Sequence, residues 1–160
     1  MNEATGEIVT AVVTTNDVSD DQVFSDLLDG VEGEIAQVSG DGADDKYKCY
    51  ETAHQRGIKT TIPPRKNAVI RQHGNCKALP APRDENLRRI RQIGRQKWKH
   101  ESGYHRRSLS ETTMFRFKVL FGGKLRRRSF DNQAVELFIQ CAILNPMIQN
   151  GKPESYQVHI

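Results

Sequence analysis

The chain has 160 residues, three cysteines and a formal net charge of +4 at pH 7. This length suits a single domain with a sizeable core. No run of eighteen apolar residues occurs, so we expect no membrane span, and no charged and apolar leader opens the sequence, which predicts a cytoplasmic protein. An odd number of widely spaced cysteines argues against a disulfide framework.

The net charge conceals an uneven distribution along the chain. Residues 1–45 hold twelve Asp and Glu and no Lys or Arg, whereas residues 46–160 hold eight acids and twenty-four Lys and Arg. The first third therefore carries −12 and the remainder +16. A basic surface of this kind is typical of nucleic-acid binding. The acidic third could reach phosphate only through divalent cations, which carboxylate oxygens suit.

The first predicted elements are two strands separated by a helix. Residues 8–15 are rich in β-branched side chains and predict a strand. A capping-box pattern at 19–22 predicts a helix that ends at Gly30. Residues 34–39 then predict a second, short strand.

An acidic turn follows this second strand. Glycines on both sides of Asp41, Gly40 and Gly42, allow a sharp turn at the strand end. A carboxylate in that position commonly faces a ligand crevice, so Asp41 is a candidate metal ligand. Alternatively, the turn caps the next helix through Asp44 or Asp45. The two interpretations are compatible.

The next elements lead into a basic loop. We predict a helix over 47–56 that ends at Gly57, and a strand over 58–62 that Pro63 and Pro64 terminate. Residues 63–83 then form an irregular basic loop, which is either a solvated connection or a surface that contacts phosphate. Its cations are Arg65, Lys66, Arg71 and Lys77. A lone His-x-x-Cys at 73–76 lacks the two further ligands that a zinc site needs.

Helices dominate the second half. Apolar and small residues recur at helical spacing over 84–102 and predict one continuous helix, crowded with cations on its other faces. A basic run at 124–128 predicts a surface turn. A last helix opens at Asp131, is apolar on most sides and is expected to be buried. Residues 153–160 form a short, frayed tail.

One stretch, 104–118, carries a distinctive set of side chains. Steps of three, four and seven residues separate Tyr104, Arg107, Glu111 and Lys118, and on an α-helix these steps place all four on one stripe. The spacing alone is more typical of a solvated face with ion pairs, each worth roughly 0.2–0.5 kcal/mol.

The residue types in this stretch, together with their spacing, resemble those of a known protein family. Tyr-x2-Arg-x3-Glu-x6-Lys resembles the signature of insertion-sequence transposases with a DDE active site. Three shorter segments also resemble segments that such transposases carry at corresponding positions, namely 39–43, 62–67 and 142–145. The resemblance covers nearly the whole chain.

The resemblance implies a fold and a chemistry. The fold is α/β, a partial ribonuclease-H-like domain with a mixed sheet of few strands and flanking helices, spanning 1–160 as a single, incomplete catalytic domain. The chemistry is metal-dependent phosphoryl transfer, in which water cleaves a DNA strand and a freed 3′-hydroxyl attacks target DNA. Asp41 and Glu111 are implied as catalytic ligands of Mg²⁺ or Mn²⁺.

The resemblance also implies DNA contacts. Arg107 and Lys118 would neutralise phosphates, and Tyr104 would stack on a base or bind a phosphate, unless it is simply a half-buried ring at the helix start. Arg65 and Lys66 are the candidate contacts of the basic loop. The implied partners are the terminal repeats of the element, target DNA, and a second copy or a full-length transposase. The implied location is the bacterial cytoplasm, at the nucleoid.

Two departures from the family bear on activity. The family carries a further aspartate on a strand before 8–15, which this sequence lacks, and it usually has tyrosine in place of Asp44. We therefore expect a truncated fragment with little activity alone. The alternatives are a non-enzymatic DNA-binding module that inhibits a full-length transposase, another nuclease of the same fold, and a decayed product without a stable fold.

Overall fold

The computed structural model describes residues 1–72, 77 and 80–151. The predicted His-x-x-Cys at 73–76 and the predicted tail at 153–160 lie outside the described residues. Two 3-10 turns, at Asp20–Gln22 and Tyr104–Arg107, accompany the helices and strands. These are, in chain order, α1 (Phe24–Asp29), β1 (Gln37–Ser39), α2 (Tyr47–Gln55), β2 (Lys59–Thr61), α3 (Pro82–Ile93), α4 (Arg95–Glu101), α5 (Ser108–Phe121) and α6 (Phe130–Asn150).

The chain divides into two compact units. The central unit comprises Thr14–Arg107, and the terminal unit comprises Met1–Val13 together with Ser108–Ile160. Organisation as one incomplete catalytic domain stays a prediction.

The central unit is built on a small sheet. β1 and β2 run parallel, with Val38 opposite Thr60, and α2 connects them. Both strands and α2 lie where the sequence predicts them, which confirms the α/β class. In the described residues the sheet is parallel rather than mixed. Its helices and strands enclose one apolar core, formed by Phe24, Leu28, Cys49, Tyr50, Ala53, Ile58 and Ile62.

The capping box at 19–22 is confirmed. The Ser19 N–H donates to Gln22 Oε1 over 2.8 Å, and the Gln22 N–H donates to the Ser19 carbonyl over 2.9 Å. These bonds satisfy backbone groups at the start of the 3-10 turn, which leads into α1. Gly30 caps the end of α1, as predicted.

The continuous helix predicted over 84–102 is wrong. α3 begins two residues earlier, at Pro82, because proline suits the first turn of a helix. The helix is interrupted at Gly94, whose φ of 84° and ψ of 152° leave the helical region. The predicted apolar stripe still faces inward, with Leu87 and Trp98 both buried.

The strand predicted over 8–15 is also wrong, since this described stretch contains no strand. The Ile8 N–H donates to Asn145 Oδ1 over 2.9 Å, and the Ile8 carbonyl accepts from Asn145 Nδ2 over 2.9 Å. A side chain of α6 thus takes the place that a neighbouring strand would occupy. β-Branched residues favour a strand, but a strand also needs a backbone partner.

The burial predicted for the last helix is wrong as well. α6 begins at Phe130, one residue before the predicted start. Along its length Leu144 and Ile148 are buried, and their side of the helix packs beside α5 and Gly6. The other side is exposed and includes Val135, Phe138, Ile139, Ile143 and Met147. The helix is apolar on most sides, but the terminal unit covers only one of them. None of the described helices has the length and apolar character needed to cross a membrane.

Candidate active site and nucleic-acid surface

The turn after β1 holds Asp41 in a defined position. Asp41 Oδ1 accepts a hydrogen bond from the Ala43 N–H over 2.7 Å, and the Asp41 N–H donates to Asp44 Oδ2 over 3.0 Å. Burial raises the pKa of the Asp44 carboxyl, and the nearby Asp41 charge acts in the same direction. The predicted cap on α2 is wrong, because Asp44 caps the turn and the residue at the helix N-cap is Lys46.

Glycine is required at position 40 because the Asp44 side chain lies too close to leave room for a Cβ. A Cβ at Gly40 would lie 2.5 Å from Asp44 Oδ2, whereas the nearest atom to a Cβ at Gly42 is the Pro63 carbonyl oxygen at 4.0 Å. Neither glycine has a positive φ. Gly40 therefore makes room for the carboxylate that holds the Asp41 amide, and only this one of the two flanking glycines has a steric reason.

Arg107 lies beside this turn. Its Nη2 is 3.4 Å from Asp41 Oδ2, and the Arg107 and Asp41 side chains are 28% and 48% exposed. Two sequence-predicted site residues, 66 positions apart, are thus brought together. A partly exposed pair at this distance is weak, so both groups can exchange partners with a ligand.

Tyr104 lies on the same 3-10 turn as Arg107. It is half-buried, with its ring centroid 6.4 Å from that of Trp98. Lys99 Nζ lies 5.0 Å from the Tyr104 centroid. The ring is therefore packed on α4 along one side, and the predicted DNA contact of Tyr104 stays a prediction.

The stretch 104–118 is not one α-helix. Tyr104–Arg107 forms a 3-10 turn, and α5 begins only at Ser108. Glu111 and Lys118 are exposed residues of α5 and belong to the terminal unit, whereas Asp41 belongs to the central unit. A shared metal site of Asp41 and Glu111 accordingly stays a prediction.

A buried ion pair lies beneath the turn, and the sequence did not reveal it. Asp45 accepts two bonds from Arg83, 2.7 Å from Nε and 3.0 Å from Nη2. It also accepts from the Arg65 N–H over 2.8 Å, and the Tyr50 hydroxyl oxygen lies 3.3 Å away. The bonds from Arg83 to Asp45 raise the pKa of the guanidinium. The two partners stand 38 residues apart, and no motif links them.

A second buried carboxylate, Asp84, lies close by. It accepts from the backbone N–H groups of Arg71 and Gln72 over 3.0 and 2.7 Å, and from the Tyr47 hydroxyl over 3.3 Å. Its Oδ1 is also 3.8 Å from Arg83 Nη1. The guanidinium carbons of Arg71 and Arg83 lie 4.7 and 4.9 Å from the Tyr47 ring centroid, within cation–π range.

The basic loop lies against the Asp41 turn. Arg65 Nε donates to the Gly42 carbonyl over 3.2 Å, and Arg95 Nη1 donates to the Pro64 carbonyl over 2.7 Å. Arg65 and Lys66 are exposed. The loop ends at Ala81 rather than at the predicted residue 83, because α3 begins there. DNA contact by Arg65 and Lys66 stays a prediction.

The carboxylate oxygens at this turn are of the type that binds a divalent ion, but too few such side chains lie together to hold one. Asp41 offers the carboxylate oxygens that Mg²⁺ prefers. Among the residues that the structure describes, however, no group of three or more His, Cys, Asp or Glu side chains could hold a metal ion.

Comparison with known protein families gives a match over most of the chain. The family model described as "Transposase DDE domain" matches residues 1–145. No solved structure matches the chain.

Proposed function

Because the chain belongs to the family of transposase DDE domains, we propose that it acts on DNA in the transposition of an insertion element. In this proposal the fold is part of a ribonuclease-H-like domain, and the reactions are strand cleavage and strand transfer by a 3′-hydroxyl. The contact between Arg107 and Asp41 supports the proposal, because it places an arginine, a side chain suited to phosphate, beside a carboxylate at the end of a strand.

The cations around the Asp41 turn would bind DNA phosphates. Arg107 lies at the Asp41 carboxylate, and Arg65 is held at Gly42 by its own hydrogen bond. A bare carboxylate repels phosphate, so neighbouring cations are needed to bring DNA to it. Lys66 is the next cation along the loop, and Lys118 on α5 has the same assigned role.

The proposal assigns Mg²⁺ or Mn²⁺ to Asp41 and Glu111. Transposases of this family generally use divalent metal ions. The resemblance assigns only two of three acids in this sequence, and two carboxylates hold such an ion less firmly than three. We therefore expect the chain alone to cleave DNA slowly or not at all.

The test has two measurements on the same protein. The first is DNA binding to a short duplex at several salt concentrations. Each lost phosphate contact should lower the slope of log K against log[salt] by about 0.9, so Arg107→Ala and Arg65→Ala should each reduce it by about one contact. Lys48→Ala, a change to an exposed lysine of α2, is the matched control. An unchanged slope in both arginine variants would refute the assigned DNA surface.

The second measurement is nicking of supercoiled plasmid in Mn²⁺. We expect little product from the chain alone, and any product should disappear in Asp41→Asn and Glu111→Gln but persist in Glu51→Gln. Robust cleavage by the unaltered chain would contradict the expected weak activity. Cleavage that survives both site substitutions would contradict the assigned carboxylates.

The second candidate function is a DNA-binding module without catalysis, acting as an inhibitor of a full-length transposase. The observation that favours it is that Asp41 already accepts from Ala43 and lies beside Arg107, while the described residues contain no cluster of three acids. DNA binding that is unchanged in Glu111→Ala, together with no nicking under any metal condition, would select this candidate.

A further inference from the structure

Two buried carboxylates hold the basic loop at two points. We call residues 65–72 the clamped loop. At its first residue the Arg65 N–H donates to Asp45, and at its end the Arg71 and Gln72 N–H groups donate to Asp84. These are backbone bonds, so they fix the path of the chain at both ends of the clamped loop.

One side chain connects the two attachment points. Arg83 donates twice to Asp45 and lies 3.8 Å from Asp84, and its side chain is 9% exposed. It also donates to the Val69 carbonyl over 3.3 Å, near the middle of the clamped loop. Arg83 therefore pairs with Asp45, lies within ion-pair distance of Asp84, and bonds directly to the loop that the two carboxylates hold.

The part between the attachment points faces outward. Lys66 and Asn67 are exposed, and Val69 is 66% exposed. A loop with fixed ends and an outward middle presents its cations with little conformational entropy left to lose on binding.

We propose that Arg83 is a positioning residue that holds the clamped loop in its DNA-binding shape without itself contacting DNA. This inference rests on the proposed function. Arg83 acts through Asp45 and Asp84, and the phosphate contacts come from exposed cations of the loop. Loss of the clamp should weaken DNA binding, because the loop must then be ordered when DNA binds.

The principal variant is Arg83→Lys in the full chain. Lysine keeps a positive charge between the carboxylates but cannot make the two parallel bonds to Asp45. Arg91→Lys, an exposed change on the same helix, is the matched control. DNA affinity is measured with a labelled duplex over a range of salt concentrations, and loop order is measured by the rate of tryptic cleavage after Arg65, Lys66 and Arg71.

We expect Arg83→Lys to lower DNA affinity by about tenfold at every salt concentration, with an unchanged salt slope, and to accelerate cleavage within the loop. Arg91→Lys should leave loop cleavage unchanged. An affinity or a cleavage rate that matches the unaltered chain would overturn the inference. A slope reduced by about one contact in the double variant Asp45→Asn with Arg83→Gln would also overturn it, because a variant that loses the charge of Arg83 shows whether Arg83 is itself a phosphate ligand.

Two further comparisons keep the test decisive. If Arg83→Lys does not show a cooperative melt, the double variant Asp45→Asn with Arg83→Gln is used instead, because it removes both charges together. We expect the same salt slope and the same faster loop cleavage from the double variant, and the inference fails without them. DNA binding by the unaltered chain distinguishes a failure of the proposed function from a failure of the clamp. If it binds no DNA at low salt, the proposed function fails, whereas if it binds DNA and Arg83→Lys binds equally well, only the clamp fails.

Discussion

Replacing Tyr50 by phenylalanine tests how the core supports the site. Tyr50 is 2% exposed, and its hydroxyl donates to the Ile62 carbonyl over 3.0 Å and contacts Asp45 over 3.3 Å. Asp45 keeps its bonds to Arg83, but the Ile62 carbonyl loses this partner inside the core. A buried acceptor left without a donor costs about 1–3 kcal/mol. For a unit of this size that corresponds to a fall in melting temperature of about 4–8 °C per kcal/mol.

The pH dependence of the same variant gives a second, independent check. Burial raises the pKa of the Tyr50 phenol above its ordinary value of 10.0, and the Asp45 charge adds to this. Above pH 10 the unfolded chain therefore releases this proton while the folded chain retains it. The stabilisation is fully present below pH 10 and is lost as pH rises, by up to about 1.4 kcal/mol per pH unit. Tyr50→Phe lacks this loss, so the two stabilities should converge above pH 10.

The assay is thermal and urea unfolding, followed by circular dichroism between pH 7 and 11. Tyr104→Phe is the control, because the Tyr104 ring packs on α4 and its hydroxyl makes none of the hydrogen bonds that the structure describes. It should leave stability and its pH dependence unchanged. Equal stability of Tyr50→Phe and the unaltered chain at pH 7, or a difference that stays constant to pH 11, would refute the reasoning.

Two further substitutions test local packing by unfolding experiments. Gly40→Ala places a Cβ 2.5 Å from Asp44 Oδ2 and should destabilise the chain by about 1–3 kcal/mol, whereas Gly42→Ala has no atom closer than 4.0 Å and should be nearly neutral; equal effects would contradict the steric role of Gly40. Leu144→Ala removes a fully buried side chain of α6 and should cost about 2–5 kcal/mol, whereas its neighbour Ile143, 48% exposed, should lose far less on the same change. Similar losses at the two positions would mean that the exposed side of α6 is in fact covered.

Local signals in the sequence determined the elements that depend on neighbours along the chain. The sequence predicted the capping box at Ser19, the end of α2 before Gly57, and the short strands before and after α2. The structure confirms all of these elements. Capping and turn chemistry act within about four residues, so the sequence alone contains their causes. The family resemblance likewise depends on spacing in the sequence, and the family match confirms that the chain belongs to the family.

Elements that depend on a distant partner were predicted less well. Residues 8–15 have the composition of a strand, but Asn145 takes the backbone groups of Ile8. α6 has the composition of a buried helix, but its neighbours cover only the side of Leu144 and Ile148. In both cases propensity states what a segment favours, and the available partner decides the outcome.

The candidate site also depends partly on local sequence and partly on tertiary contacts. The sequence predicted Asp41 and Arg107 as site residues, from a strand end and from the family signature, and it determined the charge of each part of the chain. Only the tertiary structure brought these two side chains together and placed Arg83 between Asp45 and Asp84. A buried charge is tolerated only where the fold provides its counter-charge, and that pairing joins residues 38 positions apart, beyond the reach of any local pattern.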